Sequence, residues 1–192
     1  MELESRSNSM KQDSTKSLLE EDHASLGGLI EELCAALDGS DVARSFALLD
    51  LVWARLAVHI RAEHLCLFPA ILDAAKQLSS RRADAPQFDE AQSAISRLRR
   101  DHDFFMRELA GAVNTMREIK SSSDTRLVEE RLLDVRQTIS TIKACLEKHN
   151  KLEEEQIYRW PTVLLNLEQQ AHLAECVRRE IENMPPRFAS PS

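Results

Sequence analysis

His59-Ile-Arg-Ala-Glu63 and His149-Asn-Lys-Leu-Glu153 are two copies of one pattern. Each is preceded by an Asp-His pair, Asp22-His23 before the first and Asp101-His102 before the second. Residues four apart in a helix share a face, one turn apart. Each His-x-x-x-Glu therefore presents an imidazole and a carboxylate toward one point. With the extra histidine of each half, the repeat supplies four nitrogen donors and two carboxylates, a donor set that suits two transition-metal ions.

Around these residues the apolar positions follow the helical period. Leu19, His23, Leu26, Ile30, Leu33 and Leu37 form one stripe, which the turn residues Asp38-Gly39-Ser40-Asp41 end. A second helix is expected over about 42–78, with Leu49, Val52, Leu56, His59, Glu63 and Leu67 together. Pro69 predicts a kink or break there, one turn after the glutamate. A third, about 88–119, carries Ile95, Leu98, His102, Phe105, Leu109 and Met116. After Ser121-Ser122-Ser123-Asp124, with Asp124 as a cap, a fourth runs over about 125–160. It aligns Val135, Ile139, Ile142, Leu146, His149, Glu153 and Ile157. A fifth helix is expected from Pro161 to about Asn183. Long amphipathic helices joined by short turns predict an all-α, up-down-up-down four-helix bundle with an additional C-terminal helix. The bundle spans 15–183, between a polar leader (1–14) and a polar tail (184–192).

His23, His59, His102 and His149 stand where a leucine would be ordinary, and Glu63 and Glu153 lie on the same stripes. Burying an unpaired carboxylate costs several kcal/mol or forces it to protonate, and the stripes hold no lysine or arginine. Metal cations would pair the charge and fix the geometry together. Imidazoles and carboxylates without thiolate favour iron, manganese or zinc over calcium and copper(I). Glu63 and Glu153 read as bridges between two ions, with two histidines on each. Glu-x-x-His, the ferritin-like signature, occurs at Glu20–His23 but fails at Arg99–His102; no His-Glu-x-x-His is present.

Composition narrows the classes further. The net charge of −7 gives no basic surface for nucleic acid, and Arg97–Arg100 reads as a solvated helix face. No run of about 18 apolar residues suggests membrane insertion, and no signal region suggests export. A cytoplasmic protein is expected, with Cys34, Cys66, Cys145 and Cys176 as reduced thiols, since none forms Cys-x-x-Cys.

The stretches Leu19-Glu-Glu-Asp-His23, His59-Ile-Arg-Ala-Glu63-His-Leu-Cys-Leu-Phe68-Pro69, Leu98-Arg-Arg-Asp-His102 and His149-Asn-Lys-Leu-Glu153-Glu-Glu-Gln-Ile-Tyr158 together resemble the hemerythrin-like, or HHE cation-binding, family over roughly 15–165. That resemblance implies a bundle around a non-haem, carboxylate-bridged di-iron centre (zinc or manganese as substitutes). Its ligands would be His23, His59, Glu63, His102, His149 and Glu153. Oxygen carriers of the family have a further histidine where this chain has Met106. The set is thus similar to the di-iron proteins of iron–sulfur-cluster repair, which also carry a cysteine-containing segment that Met1–Ser17 does not have.

Five more residues stand beside the ligands. His64 points about 100° away from Glu63 and is placed outside the ligand set. Phe68 and Tyr158 occupy equivalent positions and read as core packing, with Tyr158 able to hydrogen-bond a bridging group. Asp22 and Asp101 either orient a ligand imidazole across the bundle or face solvent. The expected function is binding or sensing of O₂ or NO, or iron handling under oxidative or nitrosative stress. The alternatives are a di-iron enzyme reducing O₂, peroxide or NO, and a metal-responsive regulatory bundle.

Overall fold

Helix ends fall where the chain supplies caps. The structure, a computed structural model, describes residues 14–77 and 85–188. The Ser14 hydroxyl accepts from the Ser17 amide at 3.1 Å and starts α1, Thr15–Asp38. Ser40 takes a left-handed φ of 53° in the following turn, and the Asp41 carboxylate caps α2, Val42–Ala62, by accepting from the Arg44 amide at 3.0 Å. Asp124 caps α5, Thr125–Glu155, which follows α4, Phe88–Ser121.

The break expected one turn after Glu63 begins on Glu63 itself. Residues Glu63–Leu67 form a π-helical turn, in which the Phe68 amide donates to the Glu63 carbonyl, before α3, Phe68–Gln77. Pro69 has no amide to donate, and its ring would crowd the carbonyl four residues back. The wider π turn absorbs that mismatch, as such turns do inside longer helices. Pro161 has a parallel effect. The fourth helix, expected to reach Trp160, ends at Glu155, and a 3₁₀ turn at Ile157–Arg159 leads into α6, Trp160–Leu164. The fifth segment is therefore divided, and Asn166 starts α7, Leu167–Glu182, with a capping box to Gln169.

α1 packs on α2, α2 on α4, α4 on α5, and α5 back on α1, closing the four-helix bundle; α7 lies against α1, α2 and the π turn. Beyond α7, Pro186–Phe188 form a 3₁₀ turn and Arg187 pairs with Asp50 at 2.9 Å. The expected leader lies, apart from Ser14, outside the described residues. Among the described residues no helix is long and apolar enough to cross a membrane.

The reduced-thiol expectation needs correction for one pair. Cys66 and Cys176 form a disulfide with their Cα atoms 6.0 Å apart, while Cys34 and Cys145 are free. The partners are 110 residues apart in sequence, so spacing gave no sign of them. Only the return of α7 along the π turn brings them together.

The apolar interior is divided in two. One cluster holds Leu26, Leu33, Leu49, Leu56, Phe105, Leu109, Ile139 and Leu146. The other holds Leu19, Leu67, Phe68, Ile71, Leu98, Ile157, Tyr158 and Leu173. On every bundle helix the histidine of the repeat falls between them: Leu19, His23, Leu26 on α1, and Leu98, His102, Phe105 on α4. The six expected ligands are thus one polar layer between two dry ones.

Candidate metal centre

Each bundle helix contributes one imidazole to that layer: His23 from α1, His59 from α2, His102 from α4 and His149 from α5. All four are buried, and Glu63 and Glu153 are wholly so, at 0% exposure. The imidazoles meet in pairs through Nε2, His23 with His59 at 3.1 Å and His102 with His149 at 2.9 Å. Glu153 belongs to both groups of donors, lying within 4.8 Å of the ligating atoms of either pair.

The outer nitrogens explain why Nε2 faces inward. His59 Nδ1 is 2.9 Å from Asp22 Oδ2, His149 Nδ1 is 3.2 Å from Asp101 Oδ2, and His23 Nδ1 is 2.8 Å from Glu154 Oε1. A carboxylate there favours a proton on Nδ1, so Nε2 is the nitrogen whose lone pair becomes available to a cation at the centre, the arrangement a metal ligand needs. His102 Nδ1 is served differently, by His64 Nε2 at 3.0 Å. Asp22 is itself held by the Arg55 guanidinium.

The two glutamates span the pairs. Glu63 places Oε1 3.7 Å from His59 Nε2 and Oε2 3.3 Å from His102 Nε2. Glu153 places Oε2 3.3 Å from His23 Nε2 and Oε1 3.1 Å from His149 Nε2. The Tyr158 hydroxyl, beside the His23–His59 pair, lies 2.8 Å from Glu63 Oε1 and 3.2 Å from Glu153 Oε2. The remaining oxygens, Glu63 Oε2 and Glu153 Oε1, are buried without a hydrogen bond. Such oxygens are costly unless a cation meets them, so the donors present fit a metal.

Protons in the cation-free protein occupy the places a cation would take. Burial pushes the Glu63 carboxyl well above the carboxylate range, and the charge of Glu153 adds to this. Burial pushes Glu153 the same way, but the His149 and His23 imidazoles outweigh it and hold Glu153 well below that range. Burial likewise lowers His23 and His149, yet Glu153, with Glu154 or Asp101, raises both above the usual histidine value. Burial lowers His59 and His102. The layer then holds an ionised Glu153 between His23 and His149, and a cation entering must displace their protons.

The geometry agrees with a family match. The hemerythrin HHE cation-binding domain matches residues 15–161. The chain belongs to that family. Searches of curated proteins and of solved structures each returned no match. As a hemerythrin HHE domain, the protein is built to bind metal cations, and its two histidine pairs with Glu153 are groups able to hold them.

All six expected ligands come together. Asp22 and Asp101 orient imidazoles, Asp22 buried and Asp101 partly exposed. Tyr158 reaches both glutamates, whereas Phe68 stacks on His102 with ring centroids 6.1 Å apart. His64 lies against His102. Met106 packs half-buried against the larger apolar cluster. The sequence reading missed Glu154 and Arg55. Aligning the repeats would have signalled Glu154, because it follows Glu153 as His64 follows Glu63. Arg55 lies one helical turn before His59, but only the fold shows that it pairs with Asp22.

Proposed function

We propose that this protein is a non-haem di-iron protein that binds O₂ or NO. The supporting observation is a cavity of about 150 Å³ between α1 and α5 that is lined by all four repeat histidines. Its remaining walls include Leu26, Ile30, Leu56 and Leu146, with Gly27 on the α1 side. One water occupies about 30 Å³ of liquid volume, so a diatomic molecule fits. Pockets for drug-sized organic ligands run to about 300–1,000 Å³, well above this volume. A larger open cavity of about 760 Å³, between α3 and α7, is lined by none of the six ligands.

Bound at the layer, two iron ions would supply redox-active positions for such a ligand. His23, His59, His102 and His149 would hold them, with Glu63 and Glu153 shared between both. The chain's own residues shape what happens there. Leu26, Ile30, Leu56 and Leu146 give the cavity an apolar wall, the Lys143–Glu31 ion pair at 2.6 Å ties α5 to α1 beside it, and the Tyr158 hydroxyl offers a proton at the glutamate oxygens.

Mixing the reduced, iron-loaded protein with NO and, separately, with O₂ tests this reading. Both gases are expected to change the optical spectrum. A side chain at Gly27 would enter open space, since a Cβ there meets nothing within 4 Å. Gly27→Leu should then slow the change while iron content stays the same. A two-iron protein whose spectrum responds to neither gas would overturn the proposal.

A further inference from the structure

The two halves of the layer are not equal, and the inequality sits at one repeat position. Glu63 is followed by His64 and Glu153 by Glu154. Each follower crosses to the other half, Glu154 to His23 Nδ1 at 2.8 Å and His64 to His102 Nδ1 at 3.0 Å. We propose that His64 is a positioning residue that makes the His102–His149 pair the weaker cation site, so that the His23–His59 pair fills first.

The chemistry follows from what each imidazole leans on. A carboxylate accepting from Nδ1–H raises the basicity of the ring and strengthens Nε2 as a ligand. His23 has such a partner in Glu154. His102 has only an imidazole, which is uncharged when it accepts that bond. The second histidine of each pair adds to the contrast. Asp22, behind His59, is buried at 2% side-chain exposure and 2.9 Å away; Asp101, behind His149, is 38% exposed and 3.2 Å away. Tyr158 acts in the opposite sense, because its hydroxyl engages the glutamate oxygens on the His23–His59 side. One hydroxyl donates one hydrogen bond at a time, whereas both imidazoles of that pair have carboxylate support.

The inference rests on the two-cation reading above, and an exchange of followers tests it. Metal-free full-length protein is titrated anaerobically with Fe(II) against a chromophoric chelator, and ⁵⁷Fe Mössbauer spectra are recorded at one and two equivalents. Wild type should bind two ions in separable steps, the first giving one dominant ferrous doublet. His64→Glu should tighten the second step by roughly tenfold, the lower range for such supporting partners, and leave the first unchanged. Glu154→His, at a 38% exposed side chain, should weaken the first step by a similar factor. His64→Gln, which keeps an uncharged acceptor, should behave as wild type and controls for folding. Two ions bound by every variant with unchanged steps would overturn the role of His64 alone. A wild type that binds no second ion would overturn the two-cation reading, and this inference with it.

Discussion

The interior on one side of the histidine layer is self-sufficient; the other side is not. Toward the α1–α2 and α4–α5 turns, leucines and isoleucines from four helices fill the bundle. Beyond the layer, α3, α6 and α7 are recruited around Phe68, Tyr158 and Trp160, and a disulfide ties Cys66 of the π turn to α7. Burial of a large apolar side chain contributes about 1.5–3 kcal/mol, so the first side gains from every residue it encloses. The layer encloses two carboxylates and four imidazoles. Their burial costs energy until protons or cations neutralise them. One sequence pattern thus serves two purposes: leucine at a seam position builds the bundle, and histidine there builds a polar layer whose groups can hold a cation.

The largest expected effect comes from removing that cation. Metal binding to the native state stabilises by about 4 kcal/mol at a thousandfold excess over Kd, and each kcal/mol shifts the melting temperature of a chain this size by about 2–4 °C. Chelation should therefore lower the melting temperature by on the order of 10 °C, reversed by Fe(II). Hydrogen exchange should rise at Glu63–Leu67 and in α7 before it rises around Leu109 and Ile139. Uniform loss of protection would show that the two sides do not differ in their dependence on metal.

The glutamates separate the layer from the apolar clusters more sharply. Glu63→Ala and Glu153→Ala each remove a donor shared by both histidine pairs, and both irons should be lost together. Leu109→Ala should instead destabilise by about 2–5 kcal/mol with two irons retained. If either glutamate variant kept two irons, that carboxylate would not be a bridge.

A smaller effect, opposite in sign for the two metal states, is expected with pH. In metal-free protein His23 and His149 are raised above the ordinary 6.5. Between 6.5 and their folded values the native state binds more protons than the unfolded chain, so stability falls as pH rises. The lowered His59 and His102 contribute in the opposite sense only below 6.5. Metal affinity rises over the same window, because fewer protons compete. Chemical denaturation from pH 6.5 upward should show metal-free protein weakening and metal-loaded protein holding or gaining stability. Parallel slopes would remove the proton-for-cation exchange.

The fold was legible because the stripes were long and their breaks chemically plain. Leu19 to Leu37 and Val135 to Ile157 each specify an inward face, and Asp41 and Asp124 cap the helices they precede. The polar layer was legible for the same reason, as histidines and glutamates interrupting an apolar period. What could not be read depends on contacts between distant segments. The π turn adds a residue to a helix whose sequence looks continuous, and the Cys66–Cys176 bond joins elements 110 residues apart. Asp22 has two faces available on α1; only the placement of Arg55 and His59 on α2 decides that it points inward. Glu154 lies off the inward stripe of α5, and only the packing of α1 on α5 brings it to His23 Nδ1.

The measurement that bears most directly on the centre is iron per chain in protein made with iron available, combined with its Mössbauer spectrum. Two irons per chain in a coupled pair are expected, lost together from Glu63→Ala and Glu153→Ala. One iron or none in fully folded, iron-replete protein would contradict a dinuclear centre held by His23, His59, Glu63, His102, His149 and Glu153.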